Sequence, residues 1–379
     1  MTQDTDVVII GGGPAGLAAA IALRLQGMTC VVVEAMQTGM DKACGEGLIP
    51  EALRALQALG VQLPDGDGYA FNGIGFINVT HSAEACLPDG AGLGVRRTLL
   101  HRRMCERAAT LGVTMMWGSR AKMLTANSML INGEEIHFRW LIGADGRAST
   151  IRKSAGLDVG TVRSQRFGFR QHYEIAPWSD RVEVYWGNHE QVYVTPIEKN
   201  CVCAVLITRD AKANRKNILK GFPELAARLQ NAPTVTQQRG AGTVTRRLKR
   251  VTNGNVALVG DASGSPDPIT GEGLALSFRQ ALALAECISN GNLKPYEKMH
   301  RSIGARPHAM SLLLLAMDRW PGVQRWVIQA LSSNKELFDE LLAIHLGADS
   351  VLRFALRRGP LLGWKLFVQS NGTEELESA

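Results

Sequence analysis

The stretch Asp6–Glu34, DVVIIGGGPAGLAAAIALRLQGMTCVVVE, decides the fold of this chain. It begins with an apolar run, 7–10, which is typical of a parallel strand buried on both faces. Gly11, Gly13 and Gly16 follow with the spacing G-x-G-x-x-G. Such glycines allow a tight turn, a close approach of the backbone to a pyrophosphate, and a helix packed closely on the sheet.

The residues after the glycines complete a nucleotide-binding unit. We predict a helix from about Pro14 to Gln26, followed by Gly27 as the residue that ends it. A second strand, 29–33, leads to Glu34, whose carboxylate is placed to accept a hydrogen bond from a ribose hydroxyl. Phosphates would meet the positive end of the helix dipole. The unit alone does not distinguish NAD from FAD.

Composition narrows the class of protein. A chain of 379 residues can bury a substantial core, and its net charge of +7 favours anionic ligands. No block rich in lysine or arginine indicates nucleic-acid binding. The seven cysteines are scattered, without a Cys-x-x-Cys pair, so we predict no metal and a reduced, cytoplasmic location. No run of 18 apolar residues suggests a membrane-spanning helix.

Two further motifs each follow a predicted strand. One runs from Gly143 through Asp145-Gly146 to Arg152, and the other pairs Gly260-Asp261 with Gly271-Glu-Gly273. With the first unit, and in this order, they resemble the flavoprotein superfamily of para-hydroxybenzoate hydroxylase, which includes group A monooxygenases and geranylgeranyl reductase-like enzymes. The resemblance covers about residues 5–288. It implies bound FAD, with NAD(P)H as a transient reductant and no separate NAD(P)H domain.

The resemblance also implies a set of cofactor-binding residues. Asp261 would accept hydrogen bonds from ribityl hydroxyls, and Arg97 matches a helix-start arginine near the cofactor. For Arg152 the alternative is a surface ion pair, and for Asp145 a turn. The full predicted set is Gly11, Gly13, Ala15, Gly16, Glu34, Ala35, Gly45, Gly47, Arg97, Asp145, Asp261, Gly271 and Gly273.

The loop 42–47, KACGEG, supplies the candidate catalytic residues. It matches a family loop that runs beside the flavin ring, and a cysteine has a similar place in geranylgeranyl reductase-like members. Cys44 and Glu46 are therefore the candidates. The alternatives are a small packed cysteine and a solvated loop acid.

Alternating residues between 163 and 209 predict an antiparallel sheet with two unlike faces. In the family such a sheet roofs the flavin and supplies the substrate pocket. His172, Trp186 and Tyr193 are the candidate substrate residues. Phe169, Tyr185 and Pro196 are further candidates for the pocket lining, although most stripes of this kind are plain core.

The predicted fold class is α/β, with a Rossmann-like FAD-binding domain, an antiparallel-sheet substrate domain and a helical C-terminal tail. We assign 1–66, 95–160 and 245–294 to the first, 67–94 and 161–244 to the second, and 295–379 to the tail. In the tail, aromatic and basic residues interleave. They would touch a membrane surface, pack over the flavin domain or form a dimer contact; the sequence leaves the oligomeric state open.

The expected function is an FAD-dependent monooxygenase that hydroxylates an apolar or aromatic small molecule through a flavin hydroperoxide. The alternative is a flavin-dependent reductase of isoprenoid double bonds. A halogenase is less well supported, because the Trp-x-Trp-x-Ile-Pro stretch of that family is absent. A non-enzymatic flavin-binding scaffold is the remaining possibility.

Overall fold

The computed structural model describes residues 3–213, 218–350, 352–354 and 356–357. Its first sheet has the strand order β17-β18-β11-β1-β2-β8. The run from β18 to β8 is parallel, whereas β17 pairs antiparallel with β18. The strands are β1 (Gln3–Ile10), β2 (Cys30–Glu34), β8 (Thr114–Trp117), β11 (Glu134–Gly143), β17 (Thr252–Asn253) and β18 (Val256–Leu258). Two short strands, β9 (Ala121–Met123) and β10 (Ser128–Ile131), extend it beside β11.

Helices cover this first sheet because its strands are apolar on both faces. The residues 7–9 and 31–33 are almost completely buried. Helix α1 packs against both α3 and α6. The helices of this part of the chain are α1 (Pro14–Leu25), α2 (Pro50–Ala58), α3 (Arg97–Thr110), α4 (Thr150–Ser154) and α6 (Gly273–Ser289). The Rossmann-like core that the opening motif predicts is therefore confirmed.

The second sheet is mostly antiparallel and has the order β19-β16-β12-β15-β14-β13-β5-β6. Only the pair β13–β5 is parallel. The strands are β5 (Gly73–Ile77), β6 (Ser82–Cys86), β12 (Gly160–Glu174), β13 (Arg181–Trp186), β14 (Gln191–Glu198), β15 (Cys201–Thr208), β16 (Arg239–Leu248) and β19 (Gly264–Ser265). Helix α5 (Pro223–Leu229) packs on the outer face.

A third, three-stranded sheet joins the two larger ones. It consists of β3 (Gly47–Leu48), β7 (Gly92–Gly94) and β4 (Tyr69–Phe71), with β7 in the centre. The glycines at 90, 92 and 94 therefore belong to a turn and a strand, and they open no second nucleotide-binding unit.

The last helices pack over the second sheet and the third motif. They are α7 (Lys294–Arg319), α8 (Pro321–Ser332) and α9 (Lys335–Leu346). Helices α8 and α9 contact β6, and α7 contacts the turn Pro268–Thr270. Packing is thus the observed role of these helices, although Trp320 and Trp326 remain exposed. The tail residues Arg358, Trp364, Lys365 and Phe367 lie outside the described residues.

The domain boundaries stay a prediction, and two strands of the second sheet do not respect the boundary placed at 245. Strand β16 crosses the boundary at 245, and β19, from the third motif, pairs with β16 in the second sheet. The third motif therefore connects the two domains physically. Among the described residues, no helix is both long and apolar enough to cross a bilayer.

Candidate active site

The glycine loop after β1 packs closely against neighbouring backbone at Gly11 and Gly16 and leaves open space at Gly13. Gly11 has a φ of +114°, and a Cβ there would lie 2.3 Å from the Ala144 carbonyl oxygen. A Cβ on Gly16 would lie 1.9 Å from the Gly11 carbonyl oxygen, so α1 can pack only with glycine there. By contrast, nothing lies within 4 Å of a Cβ on Gly13. Gly13 therefore faces the space where the predicted pyrophosphate would bind.

Two side chains fix this loop from behind. The Gly12 N–H donates to Glu34 Oε2 at 2.8 Å, and the Met36 N–H donates to Oε1 at 2.9 Å. Each carboxylate oxygen keeps a further lone pair, so the predicted ribose contact of Glu34 stays open. His101 Nε2 donates to the Gly12 carbonyl at 2.9 Å. The sequence prediction missed His101, although it stands one helical turn after Arg97 in α3.

The second motif shapes the loop next to these glycines. Asp145 Oδ2 accepts from the Thr150 N–H at 2.6 Å and the Ile151 N–H at 3.2 Å, so it caps α4. Its Oδ1 is buried without a partner. The turn alternative therefore holds for one oxygen, and the other remains available for the predicted cofactor.

Arg152 connects the second motif to the third. It is 1% exposed and donates to the Ala262 carbonyl at 3.1 Å and to Asp158 Oδ1 at 2.8 Å. The alternative of a surface ion pair is corrected by this position, because the guanidinium is buried and binds backbone carbonyls as well as Asp158.

The third motif packs directly on the first. Gly260 has a φ of +62°, and a Cβ there would lie 2.6 Å from Ala15 Cβ. Ala15 is therefore a packing contact between the two loops. Ala35 lies exposed just after β2.

Asp261 follows β18 in the third motif, and we call the space beside its side chain the cleft. Its side chain is exposed, yet surrounding protein atoms desolvate the carboxyl and raise its pKa, against the charges of Arg97, Lys42 and Arg147. A carboxyl group that is accessible to solvent and yet desolvated by nearby protein atoms is typical of a concave surface, and Asp261 combines both properties. Lys42 and Arg147 come from two loops and Arg97 from the first turn of α3, and their combined charge would favour an anionic ligand near this carboxylate.

Four glycines from three loops present open space. In the part of the chain that the structure describes, no atom lies within 4 Å of a Cβ on Gly13, Gly45, Gly271 or Gly273. Gly47 differs, because it pairs with Gly94 in the third sheet and a Cβ there would touch Phe71 and Thr195. The predicted close approach of Gly47 to a ligand is therefore not supported.

The Nε of Arg97 is an unpaired donor among the described residues, and the charge of Arg97 acts on Asp261. The Arg97 backbone N–H donates to Glu46 Oε1 at 3.0 Å, whereas the side-chain Nε is buried without a partner. An arginine in the first turn of a helix is opposed by the helix dipole, so an anionic neighbour would stabilise it. The open glycines, Asp145 Oδ1 and this guanidinium fit a dinucleotide.

The family model described as an FAD binding domain matches residues 4–290. The chain belongs to this FAD-binding family. That match spans all three motifs and confirms the resemblance on which the cofactor prediction rests.

Two curated relatives illustrate how widely the chemistry of this family varies. The rifampicin monooxygenase of Rhodococcus hoagii is 30% identical over 403 residues, covering 94% of this chain and 84% of the relative. The digeranylgeranylglycerophospholipid reductase 1 of Methanothermobacter thermautotrophicus is 26% identical over 336 residues, covering 79% of this chain and 83% of the relative. Relatives of this FAD-dependent family thus include both a monooxygenase and a reductase.

A solved structure confirms the architecture. The flavin-dependent brominase Bmp2 superposes with a TM-score of 0.78 at 18% identity, covering 90% of this chain and 93% of that chain. At this identity the likeness shows the fold, and it carries no argument about the reaction.

The loop 41–47 is tied to the second sheet by a buried ionic cluster around Glu46. Glu46 is 2% exposed; its Oε1 accepts from Arg170 Nη1 at 3.2 Å and its Oε2 accepts from His172 Nε2 at 2.7 Å. Asp41 binds the other side of Arg170 through two contacts of 2.8 Å. The alternative of a solvated loop acid is wrong, because the structure buries Glu46 between charged partners.

The charge state of Glu46 follows from these contacts. Burial alone raises the pKa of its carboxyl, but the hydrogen bond and charge of His172, the Arg97 N–H and the charge of Arg170 outweigh burial and lower the pKa overall. Glu46 is therefore a carboxylate that holds the loop in place. No open face remains on it for proton transfer to a substrate, so its predicted catalytic role is indirect at most.

Cys44 is the more accessible of the two catalytic candidates. It is half-buried, and its Sγ accepts from the Glu46 N–H at 3.4 Å. The neighbouring Gly45 is exposed and open, while its carbonyl accepts from Thr195 Oγ1 at 2.8 Å. Cys44 thus lies in a loop that Thr195 fixes at Gly45 and that is partly open to solvent.

One group of potential metal ligands exists among the described residues, formed by Glu46, His172 and Cys203 within 4.8 Å of one another. Both oxygens of Glu46 are already occupied by hydrogen bonds, and the Arg170 guanidinium would repel a cation. Burial raises the pKa of the Cys203 thiol well above its usual value, so the thiolate form that binds metals is disfavoured. The cluster is better explained as an ionic anchor.

The candidate substrate residues have unlike surroundings. His172 is 2% exposed and lies between Glu46 and Thr236, so no free nitrogen faces a ligand. Trp186 is 2% exposed in a core with Ile269 and Phe76. Direct substrate contact is therefore not supported for either. Tyr193 is half-buried and donates from its hydroxyl to the Ile269 carbonyl at 2.9 Å, which ties the second sheet to the third motif.

Two of the other lining candidates lie on the wrong face. Phe169 and Tyr185 pack with Val192 and Phe222 in the core on the outer side of the sheet. Pro196 is buried and lines a small cavity with Trp178. Period-two alternation predicted correctly that residues share a face, but it did not indicate which face meets the cofactor domain.

The inner face carries a second buried ionic network that the sequence prediction missed. Arg166 is fully buried and contacts Asp267 Oδ1 at 3.1 Å and Asp318 Oδ1 at 3.3 Å, and it also donates to Gln191. Arg209 completes the charge balance by donating to Asp318 Oδ2 at 2.6 Å. A signal was present: Arg166, Arg170 and His172 stand at even-numbered positions of one predicted strand, so their side chains share one face of the sheet.

Proposed function

We propose that this protein is an FAD-dependent monooxygenase that hydroxylates an apolar or aromatic small molecule, with NAD(P)H as the reductant. Two observations support the cofactor assignment: the charges of Arg97, Lys42 and Arg147 all act on Asp261, and the predicted glycines of the three motif loops leave space for a ligand. The relative that supports hydroxylation over other reactions is the rifampicin monooxygenase, whose match extends over 94% of this chain.

The proposed cofactor residues divide by the part of FAD that they would hold. Gly13 and the N-terminus of α1 would bind the pyrophosphate, and Glu34 the ribose beside it. Asp261 would accept from ribityl hydroxyls. Gly45, Gly271 and Gly273 would let backbone approach the ring from two sides. Bound FAD would supply the redox chemistry and the activation of oxygen.

The substrate would lie between these loops and the inner face of the second sheet. Tyr193 pairs directly with Val205 on β15, so the two side chains share that face. Val205 and Ile207 belong to an apolar cluster there. An apolar roof excludes water and favours an apolar substrate. Arg166 and Arg170 would act at a distance, because their ionic partners fix the sheet against the loops.

A direct test uses the purified protein. We expect a yellow protein whose FAD is reduced by NADH or NADPH and which consumes oxygen faster when a lipophilic phenol is added. Mass spectrometry should then find a product that gains one oxygen atom. A colourless protein that stays colourless when FAD is supplied would end the proposal at its first step.

Gly13→Val tests the pyrophosphate site. The valine side chain has room in the absence of a ligand, so the fold should remain intact while FAD binding falls by about 100-fold or more. Circular dichroism and FAD fluorescence titration measure the two effects separately. Retention of normal FAD affinity would place the cofactor elsewhere.

A flavin-dependent reductase of isoprenoid double bonds is the second candidate, and the position of Cys44 favours it. The thiol is half-buried in a loop that is partly open to solvent, and one relative is a digeranylgeranylglycerophospholipid reductase. Anaerobic incubation of the reduced protein with a prenylated lipid distinguishes the candidates. Alkene reduction without oxygen would replace the monooxygenase proposal with this one.

A further inference from the structure

A buried glutamate lies behind the loop that would hold the flavin. Glu272 stands between Gly271 and Gly273, at the N-cap of α6, and is 1% exposed. The neighbouring glycines have open space at their Cβ positions, and Gly271 has a φ of +70°. The loop therefore turns its glycines towards the cleft and its only charged side chain towards the interior.

Among the described residues, neither carboxylate oxygen of Glu272 has a hydrogen-bond partner. The nearest cationic group on α7 is Arg306, whose Nη2 lies 3.8 Å from Oε1. Arg306 is already engaged with Glu51 on α2, at 3.0 Å and 3.2 Å, and Arg279 of α6 binds Glu51 at 2.8 Å. The charge that could stabilise ionised Glu272 is thus largely committed to another carboxylate.

The remaining neighbour is His345 on α9, whose Nδ1 lies 3.7 Å from Glu272 Oε2 and has no hydrogen-bond partner. Its Nε2 lies 3.3 Å from the Thr270 carbonyl, which can only accept, so Nε2 carries the proton. Burial lowers the pKa of His345 to about 4, so the ring is neutral and Nδ1 is an acceptor. A small side-chain rotation would let a protonated Glu272 donate to it.

We propose that Glu272 is a positioning residue that sets the charge at the N-terminus of α6, and that its ionisation weakens binding of the reduced, more negative flavin. This inference rests on the proposed function, because it requires the flavin ring to lie at this helix end. The physical reason is that a helix N-terminus stabilises negative charge, whereas a second negative charge at the same end opposes it.

The protonation state of Glu272 would couple the pH to the reduction of the flavin. Burial raises the pKa of Glu272 to about 8, with the charge of Arg306 opposing the rise. Below that pH the side chain is neutral and the helix end acts on the flavin alone. Above it, Glu272 has released one proton to solvent and one negative charge stands behind the loop, so the flavin becomes harder to reduce.

The test is a redox titration of the FAD-loaded protein between pH 6 and 9.5. We compare the wild type with Glu272→Gln, which keeps the shape without the charge, and with Glu286→Gln, an exposed site in the same helix. Above pH 8 the potential of the wild type should fall below that of Glu272→Gln. The expected change is about tenfold in relative affinity for reduced flavin, or about 30 mV.

Parallel curves for the wild type and Glu272→Gln at every pH would overturn the inference. If that variant does not fold, the wild-type curve alone decides, because it must contain an inflection near pH 8. A protein that binds no FAD would refute the proposed function instead. A protein that binds FAD without this inflection would refute only the role of Glu272.

Discussion

The tripeptide Gly-Glu-Gly occurs at 45–47 and again at 271–273, and its two glutamates have opposite surroundings. Both are buried, since Glu46 is 2% exposed and Glu272 is 1% exposed. Glu46 accepts hydrogen bonds from Arg170, His172 and a backbone N–H, whereas the oxygens of Glu272 accept none. The first is held ionised, and burial favours the neutral form of the second.

The comparison teaches that burial alone does not set the charge of a carboxyl group. Burial raises both pKa values, and the partners decide the outcome. The side-chain partners of Glu46 come from the second sheet, more than 120 residues away. Those around Glu272 come from α7 and α9, and Arg306 is bound more closely to Glu51.

The largest expected effect is on Glu46. Glu46→Gln removes a charge that two buried cationic or donor groups require, so the free energy of unfolding should fall by about 3 kcal/mol, with Asp41 limiting the loss. Urea unfolding at pH 7 measures the change. Glu135→Gln, at an exposed position, should change it by less than about 0.5 kcal/mol.

The pH dependence of this effect has a definite sign. The folded-state pKa of Glu46 lies below its unfolded value of 4.5, so its stabilisation is present above pH 4.5 and is lost as the pH falls through the folded value. The difference between the wild type and Glu46→Gln should shrink in acid. A difference that grows as the pH falls would contradict the assigned ionic pair.

The next largest effect is the loss of FAD affinity that we expect from a substitution at Gly273, a glycine of the second tripeptide. Gly273→Val fills space that is open in the structure, so it should weaken FAD binding by about 100-fold, or about 2.7 kcal/mol, while the apoprotein stays folded. Fluorescence titration with FAD measures the loss. The matched control is Gly322→Val, which also lies in the first turn of a helix with open space around it. Equal FAD affinity in both variants would remove Gly273 from the site.

Glu272→Gln should stabilise the fold, in contrast to Glu46→Gln. The folded-state pKa of about 8 exceeds the unfolded value of 4.5, so the wild type loses stability as the pH rises from 4.5 to 8. The amide removes this loss, and we expect a gain of roughly 2 kcal/mol at pH 7. Urea unfolding at pH 5, 7 and 9 should show the gain increasing with pH. A gain that is independent of pH would indicate better packing instead.

Tyr193→Phe is the smallest change. It removes one hydrogen bond, from the hydroxyl to the Ile269 carbonyl, and should cost about 1 kcal/mol. The ring remains in place, so FAD binding should change by less than about threefold. Thermal unfolding and FAD titration measure both quantities. A large loss of FAD would mean that this hydrogen bond positions the third motif for the cofactor.

The two tripeptides also show how far sequence reasoning reaches. The loop at 42–47 and the third motif could be located from the sequence, because spacing and neighbouring strands mark them. The roles of Glu46, His172 and Trp186 could not, because each depends on which distant side chain lies opposite. Alternation predicted an antiparallel sheet with two unlike faces, but it gave no information about the side on which the cofactor domain packs, so Phe169 and Tyr185 were assigned to the pocket lining wrongly.

The sequence by itself determined the three glycine motifs, the buried parallel strands and the family, because glycine spacing and apolar runs act through local backbone geometry. Tertiary structure alone decided which carboxylates are charged, which aromatic rings are core, and which glycines remain open. Charge and access depend on the dielectric surroundings and on groups brought together from distant parts of the chain, as far as 126 residues from Glu46. Local sequence does not encode those distances.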